Sequence, residues 1–209
     1  MNIREQTTSD FIEALSSSAP VPGGGGASAY AGALGEALSH MVGSLTVGKK
    51  KYQAVESEIR EMMEKAKELE ERFLTLVEKD ADAFAPLAEA YRLPKETEEE
   101  RRHKEEVMEK CLRDAAEAPL LIMEACCEGI ALAEDFAEKG STLAISDAGV
   151  SASLLRAALT GASLNVFINT GAMKDSETAA ELEKKANEML ETYVPRADVV
   201  FDIVMQRLR

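Results

Sequence analysis

Tryptophan is absent from this chain of 209 residues, aromatics make up only 5% of it, and there are three cysteines. Cys111, Cys126 and Cys127 form an odd set with an adjacent pair. That is a poor disulfide framework, so the thiols read as reduced and the protein as cytoplasmic. Histidine is limited to His40 and His103, and no Cys/His spacing suits a metal. Positive charge is also scarce: 24 Lys and Arg against 38 Asp and Glu give a net charge of -14. A general nucleic-acid binder needs a basic face for phosphates, so that class is excluded, although a local basic patch is not. The opening MNIREQTTSDFIEAL lacks the apolar core of a secretion signal, and no apolar run of the roughly 18–20 residues of a membrane helix is evident. No membrane role is expected.

What the chain has is 45% apolar residues and an abundance of Ala, Glu, Leu, Lys and Met, all strong helix formers. The expected fold is all-α: one domain over residues 1–209, built as a multihelical bundle around a buried helix rich in Ala and Gly. Ser9 can cap a short first helix. After Pro20, Pro22 and the glycines, residues 27–46 read as the buried helix, because they are small or apolar nearly all round. Gly32, Gly35 and Gly43 would let its neighbours come close. Ile59, Met63, Leu69, Phe73, Leu76, Phe84 and Leu87 recur at helical spacing over 52–91, with a kink at Pro86. Thr97 and Glu100 form a capping-box pattern for a helix reaching about Glu138, bent near Pro119 and stopped by Gly140. A second Ala-rich helix opens at Ser146 and Asp147 and runs to about Asn169. A last helix starts near Asp175 or Ser176 and breaks at Pro195. Helices this long and apolar point to a homodimer.

Five segments could carry chemistry. The first is VPGGGGASAY, Val21 to Tyr30. It fails the phosphate-loop and dinucleotide patterns, which need a preceding strand and, for the former, a Gly-Lys-Ser/Thr ending. A glycine-rich turn feeding a helix still presents unpaired N–H groups and the positive end of the helix dipole. Pro22, Gly23, Gly24, Gly25, Gly26 and Ser28 therefore either bind a carboxylate or polarised carbonyl, or form a tight turn. Lys49, Lys50 and Tyr52, in TVGKKKY, are either an anion-binding patch or a cationic helix cap. Asn165 and Asn169, four apart on one helical face, either make a polar site or bond a neighbouring helix end. Asp147 reads as a helix N-cap or an acid/base group. Asp80 and Asp82 point different ways, so at most one faces a site; solvent is the expected place for Asp80.

Taken together, PVPGGGGASAYAGALG, LTVGKKKY, DADAF, YRLPK, SDAGVSASLL and NVFIN resemble, in order along nearly the whole chain, the cyclodeaminase/cyclohydrolase family that acts on one-carbon tetrahydrofolates. The resemblance implies an all-helical dimer. The implied reaction is that of a formimidoyltetrahydrofolate cyclodeaminase: N10 attacks the formimidoyl carbon on N5, ammonia leaves, and 5,10-methenyltetrahydrofolate forms. The alternative is a methenyltetrahydrofolate cyclohydrolase, in which water attacks the methenyl carbon. A folate-binding or scaffolding protein without turnover is the non-enzymatic alternative. Some family members are fused to a formimidoyltransferase, which here would be a separate partner. Neither reaction calls for a metal or a redox cofactor. Under this resemblance Asp147 is the first choice for the catalytic acid/base and Asp82 the second. Pro22, Gly23 to Gly26, Ser28, Lys49, Lys50, Tyr52, Asn165 and Asn169 would hold the folate.

Overall fold

The computed structural model describes residues 3–209. Among them there are six α-helices, two short 3-10 turns and no strand: α1 (Thr8–Leu15), α2 (Gly24–Ser44), α3 (Glu56–Ala90), α4 (Glu98–Lys139), α5 (Ile145–Thr170) and α6 (Ser176–Leu208). The chain is all-α as its composition implies.

The helix ends follow capping chemistry, with corrections in detail. Thr97 and Glu100 form the expected reciprocal box at the start of α4, and Gly140 caps its end. At α1 the box is made by Thr7 and Asp10, so Ser9 lies inside the first turn. Asp147 is not a cap either: Ala144 holds that position and Asp147 sits in the first turn of α5. The glycine run is no loop, because Gly24 to Gly26 form the first turn of α2. Residues Lys50–Val55 are a 3-10 turn, which delays α3 to Glu56. The expected break at Pro195 is also absent, since α6 passes through it, as α3 and α4 pass through Pro86 and Pro119. A proline costs one ladder bond, and the buried faces on either side outweigh that loss.

Helix α2 is the hub. It packs along α3, α4 and α5. Both α3 and α5 run antiparallel to it: residues 25, 32 and 43 meet residues 80, 73 and 63 of α3, and residues 24, 28 and 35 meet residues 165, 161 and 155 of α5. The close approach needs glycine. A Cβ on Gly32 would lie 2.5 Å from Cε1 of the buried Phe73 ring, and one on Gly35 would lie 2.9 Å from Cγ of Leu155. Sequence periodicity also hides how apolar α5 is. Residues 142–170, with a mean hydropathy of 1.2, pass the length and composition test for a membrane helix, against the expectation of no such run. Leu155, Leu159 and Val166 are nevertheless packed inside the bundle, and the buried Ser151 and Asn169 hydrogen-bond α2 and α4. The helix is a core element here.

One carboxyl group lies inside this core. Glu36 of α2 is fully buried, both its oxygens lack a hydrogen-bond partner, and it fills the space left by the missing side chain of Gly129 on α4. Burial pushes its pKa up to about 8, and the charges of Glu70 and Glu128 add to the effect. Glu36 is thus carried as a neutral acid.

Two outcomes are expected. Gly32→Ala gains up to ~1 kcal/mol of helix propensity but overpacks Phe73 at a cost of about 1–3 kcal/mol, so urea denaturation should show a net loss. Glu36 ionises near its ordinary 4.5 when unfolded and near 8 when folded. Between those values the unfolded state holds fewer protons, so this group's contribution to stability is complete below the lower value and declines as pH rises. Glu36→Gln should flatten that decline in melting temperature measured from pH 5 to pH 8.

Candidate active site

The first turn of α2 is bare main chain, exposed at Gly24 and buried at Gly25 and Gly26. Gly23 is the N-cap and offers no side chain to the orphan N–H groups of the turn. Ala27 N–H is bonded to Gly23 O at 3.0 Å, and the Gly26 N–H points at the Asp80 carboxylate. The N–H groups of Gly24 and Gly25 precede the helical ladder, where the dipole favours an anion or a polarised oxygen.

Two side chains close in on this turn because glycine makes room for them. A Cβ on Gly25 would lie 2.5 Å from Cγ of Asp80, and one on Gly24 would lie 3.2 Å from Nδ2 of Asn165. Asn165 Nδ2 donates to Gly161 O at 3.0 Å, which fixes the amide against α5. Ser28 Oγ donates to Gly24 O at 2.8 Å and so braces the turn from inside the helix.

Asp80 is therefore the acid at the glycine turn, and its expected place in solvent is corrected. It is half-buried while Asp82 is exposed. A signal was available: Asp80 stands four residues after Leu76 and seven after Phe73, on the buried stripe of α3. Its pKa is raised to about 6, because desolvation outweighs the Gly26 N–H that favours the anion. A carboxyl titrating there holds both protonation states near neutral pH, as a general acid/base requires.

The remaining candidates divide. Asn169 Nδ2 donates to Ala115 O of α4 and to Asn165 O, both at 2.9 Å, so it ties helices together. Lys49, Lys50, Tyr52 and Asp147 gather at the other end of α2, roughly 30 Å away by the rise of a 21-residue helix. There Ser141 N–H donates to Thr46 Oγ1 at 2.8 Å, Lys49 Nζ donates to Ser141 Oγ at 3.2 Å, and Thr142 N–H donates to Tyr52 Oη at 3.0 Å. Lys51 lies over the Tyr52 ring at 5.2 Å. The Thr142 hydroxyl and N–H lower the Tyr52 phenol to about 8. The result is a cationic corner at the start of α5, built from two turns that pin each other. One chain therefore carries a carboxyl-bearing glycine turn and a cationic corner at opposite ends of one helix pair.

Known proteins decide the family. The profile described as Formiminotransferase-cyclodeaminase matches residues 7–188. The chain belongs to that family. Among its formiminotransferase-cyclodeaminase relatives, the methenyltetrahydrofolate cyclohydrolase of Methylorubrum extorquens is 41% identical over 185 residues, covering 88% of this chain and 89% of that one. The formimidoyltransferase-cyclodeaminase of Mus musculus is 30% identical over 190 residues, covering 91% of this chain but 35% of the longer protein. The crystal structure of formiminotetrahydrofolate cyclodeaminase from Thermotoga maritima superposes with a TM-score of 0.81 at 27% identity, covering 99% of this chain and 97% of that one.

The placement of Asp80 is open to direct measurement. Carboxyl-carbon NMR should follow its titration near 6 in the folded protein, against an ordinary 3.8. Gly25→Ala, which pushes the carboxyl off the turn, should return the midpoint toward 4. A midpoint near 4 in the unaltered protein would put Asp80 in water.

Proposed function

We propose that this family member is a one-carbon tetrahydrofolate enzyme that works at the carbon between N5 and N10. The observation that carries the proposal is the half-buried Asp80 carboxyl held against a bare helix turn. In the cyclodeaminase direction N10 attacks the formimidoyl carbon on N5 and loses its proton. The resulting tetrahedral centre then expels its nitrogen. Protonated Asp80 supplies the proton with which that nitrogen leaves as ammonia. The Gly24 and Gly25 N–H groups and Asn165 orient polar edges of the folate, and the methenyl ring closes. Asp147 and Asp82 do not share this turn, so Asp80 takes the acid/base role.

The cyclohydrolase direction is the second reading, favoured by the 41% identity to a cyclohydrolase over nearly the full length of both chains. There the Asp80 carboxylate takes a proton from the water that attacks the methenyl carbon, and one carbon–nitrogen bond of the resulting tetrahedral centre breaks, its nitrogen taking a proton, to leave a formyl group. Lys49 and Lys50 would counter the negative charge of the glutamate tail in an otherwise acidic protein. Three buried free thiols suit a reducing cytoplasm. A formimidoyltransferase would supply the substrate of the cyclodeaminase direction.

We further propose a homodimer through α2 and α5. Ala27, Ala31, Leu34, Leu38, Met41 and Leu45 of α2 recur at spacings of three and four, as do Val150, Leu154, Ala157, Gly161, Leu164 and Ile168 of α5. Leu34, Leu164 and Ile168 are 48%, 69% and 72% exposed. Two neighbouring apolar seams with this spacing are the pattern that helices bury against another helix pair.

The test supplies 5-formimidoyltetrahydrofolate and 5,10-methenyltetrahydrofolate separately and follows ammonia and absorbance. Turnover of the first should fall as pH rises above about 6, because the acid form is lost; hydrolysis of the second should rise to a plateau above about 6. Asp80→Asn should lower the active reaction by about 10²–10⁴-fold. No turnover of either compound would leave the folate-binding alternative.

A further inference from the structure

We infer that Asn165 sets the substrate preference of the site: its amide is locked with Oδ1 free at the glycine turn, where it accepts from the N–H groups of a formimidoyl nitrogen and disfavours a formyl oxygen in the same place. This rests on the folate reading above, and it separates two N5-substituted folates of nearly the same shape. A formimidoyl group ends in nitrogen and a formyl group in oxygen. The first is part of an amidine, a base that takes up a proton near neutral pH and then offers two N–H donors. The second offers only lone pairs.

The lock is built from main-chain acceptors. Asn165 Nδ2 donates to Gly161 O at 3.0 Å. A carbonyl oxygen can receive only the nitrogen end of an amide, so this bond fixes which end is which. Gly161 is held in turn. A Cβ there would lie 2.6 Å from Ser28 Oγ, so the hydroxyl fills the space that the glycine leaves, and it donates to Gly24 O at 2.8 Å. One turn further along α5, Asn169 Nδ2 donates to the main-chain O of Asn165 and to Ala115 O of α4, both at 2.9 Å, which keeps this stretch of α5 from sliding along α4. Among the described residues nothing donates to Asn165 Oδ1. That oxygen lies 3.4 Å from where a Gly24 Cβ would be, and it is not sealed in: Gly24 is exposed and Asn165 half-buried.

The turn therefore presents three kinds of group side by side. The N–H groups of Gly24 and Gly25 are donors, Asp80 is an acid, and Asn165 Oδ1 is a neutral acceptor. In a reduced pterin the C4 carbonyl and the substituent on N5 are neighbours, with one ring carbon between C4 and N5. A C4 oxygen on the glycine N–H groups brings the N5 substituent beside Asn165 and Asp80. The formimidoyl nitrogen keeps at least two N–H bonds throughout: as the amidinium, as the amine of the tetrahedral centre, and as the ammonia that leaves with the Asp80 proton. Asn165 Oδ1 can accept at every stage. A formyl oxygen would set its lone pairs against the Asn165 carbonyl and leave both without a donor.

Calorimetric titration tests this. It is done in the Asp80→Asn protein, which slows conversion of the ligand and removes the carboxyl's own pull on an amidinium. The ligands are 5-formimidoyltetrahydrofolate, 5-formyltetrahydrofolate and tetrahydrofolate. The first should bind about 10–100-fold more tightly than the second, as expected for a hydrogen bond from a charged donor. Adding Asn165→Ala should bring the two to near equality. Adding Asn165→Asp instead, which puts an oxygen at either end of the group, should keep the preference. Equal or tighter binding of the formyl compound with Asn165 in place, or a preference that survives Asn165→Ala, overturns the assignment. If tetrahydrofolate binds and its two N5-substituted forms bind alike, only the role of Asn165 falls. If none of the three binds, the folate reading falls and the preference with it.

Discussion

The architecture depends on how near other helices can come to α2. Helices in contact usually stand off by the thickness of their side chains. Along α2 that thickness is missing at chosen levels, and Phe73, Leu155 and Asp80 occupy the room. Three helices can then share one central rod, and the same missing side chains that admit Phe73 and Leu155 to the core admit a carboxylate to the first turn. Core packing and the site are consequences of one constraint, read at different heights of one helix.

Two acids use that closeness differently. Glu36 is sealed among α2, α4 and α5 with no donor, and is carried neutral. Asp80 is only half-buried and receives one main-chain N–H, which holds it midway between its ordinary behaviour and that of Glu36. The difference between a proton that stays and a proton that can be passed on is set here by access to water and by a single donor. Neither group is tuned by a neighbouring cation.

Much of the fold was legible in the sequence. The spacing of Ile59, Leu69, Phe73 and Leu76, the box at Thr97 and the stop at Gly140 are local signals, and local signals survive into the structure. The misreadings came where tertiary contact overrides them. Pro195 sits in an unbroken helix because the apolar residues flanking it, Ala197 and Val200 among them, are buried. The glycine run is helical because its neighbours press on it. The site was half legible. Glycine, asparagine and lysine drew attention by being unusual where they stand, whereas Asp80 was passed over because a lone carboxylate in an acidic helix looks ordinary. Its place on the buried stripe was the available clue. That the named residues fall into two groups at opposite ends of α2 follows from the antiparallel pairing of α2 with α5, which no local pattern encodes.

The four consecutive glycines are unequal in their surroundings. A side chain at Gly24 or Gly25 would run into Asn165 or Asp80, one at Gly26 would find ordinary contact with Pro22 and Val77, and one at Gly23 would meet nothing within 4 Å. Seen from the outside, the run is a doorway rather than a hinge: its two middle members are the jamb, fixed by what stands behind them, while Gly23 fronts unfilled volume. Diversity introduced at that outermost position would change what meets the doorway and leave the frame and the helix behind it intact.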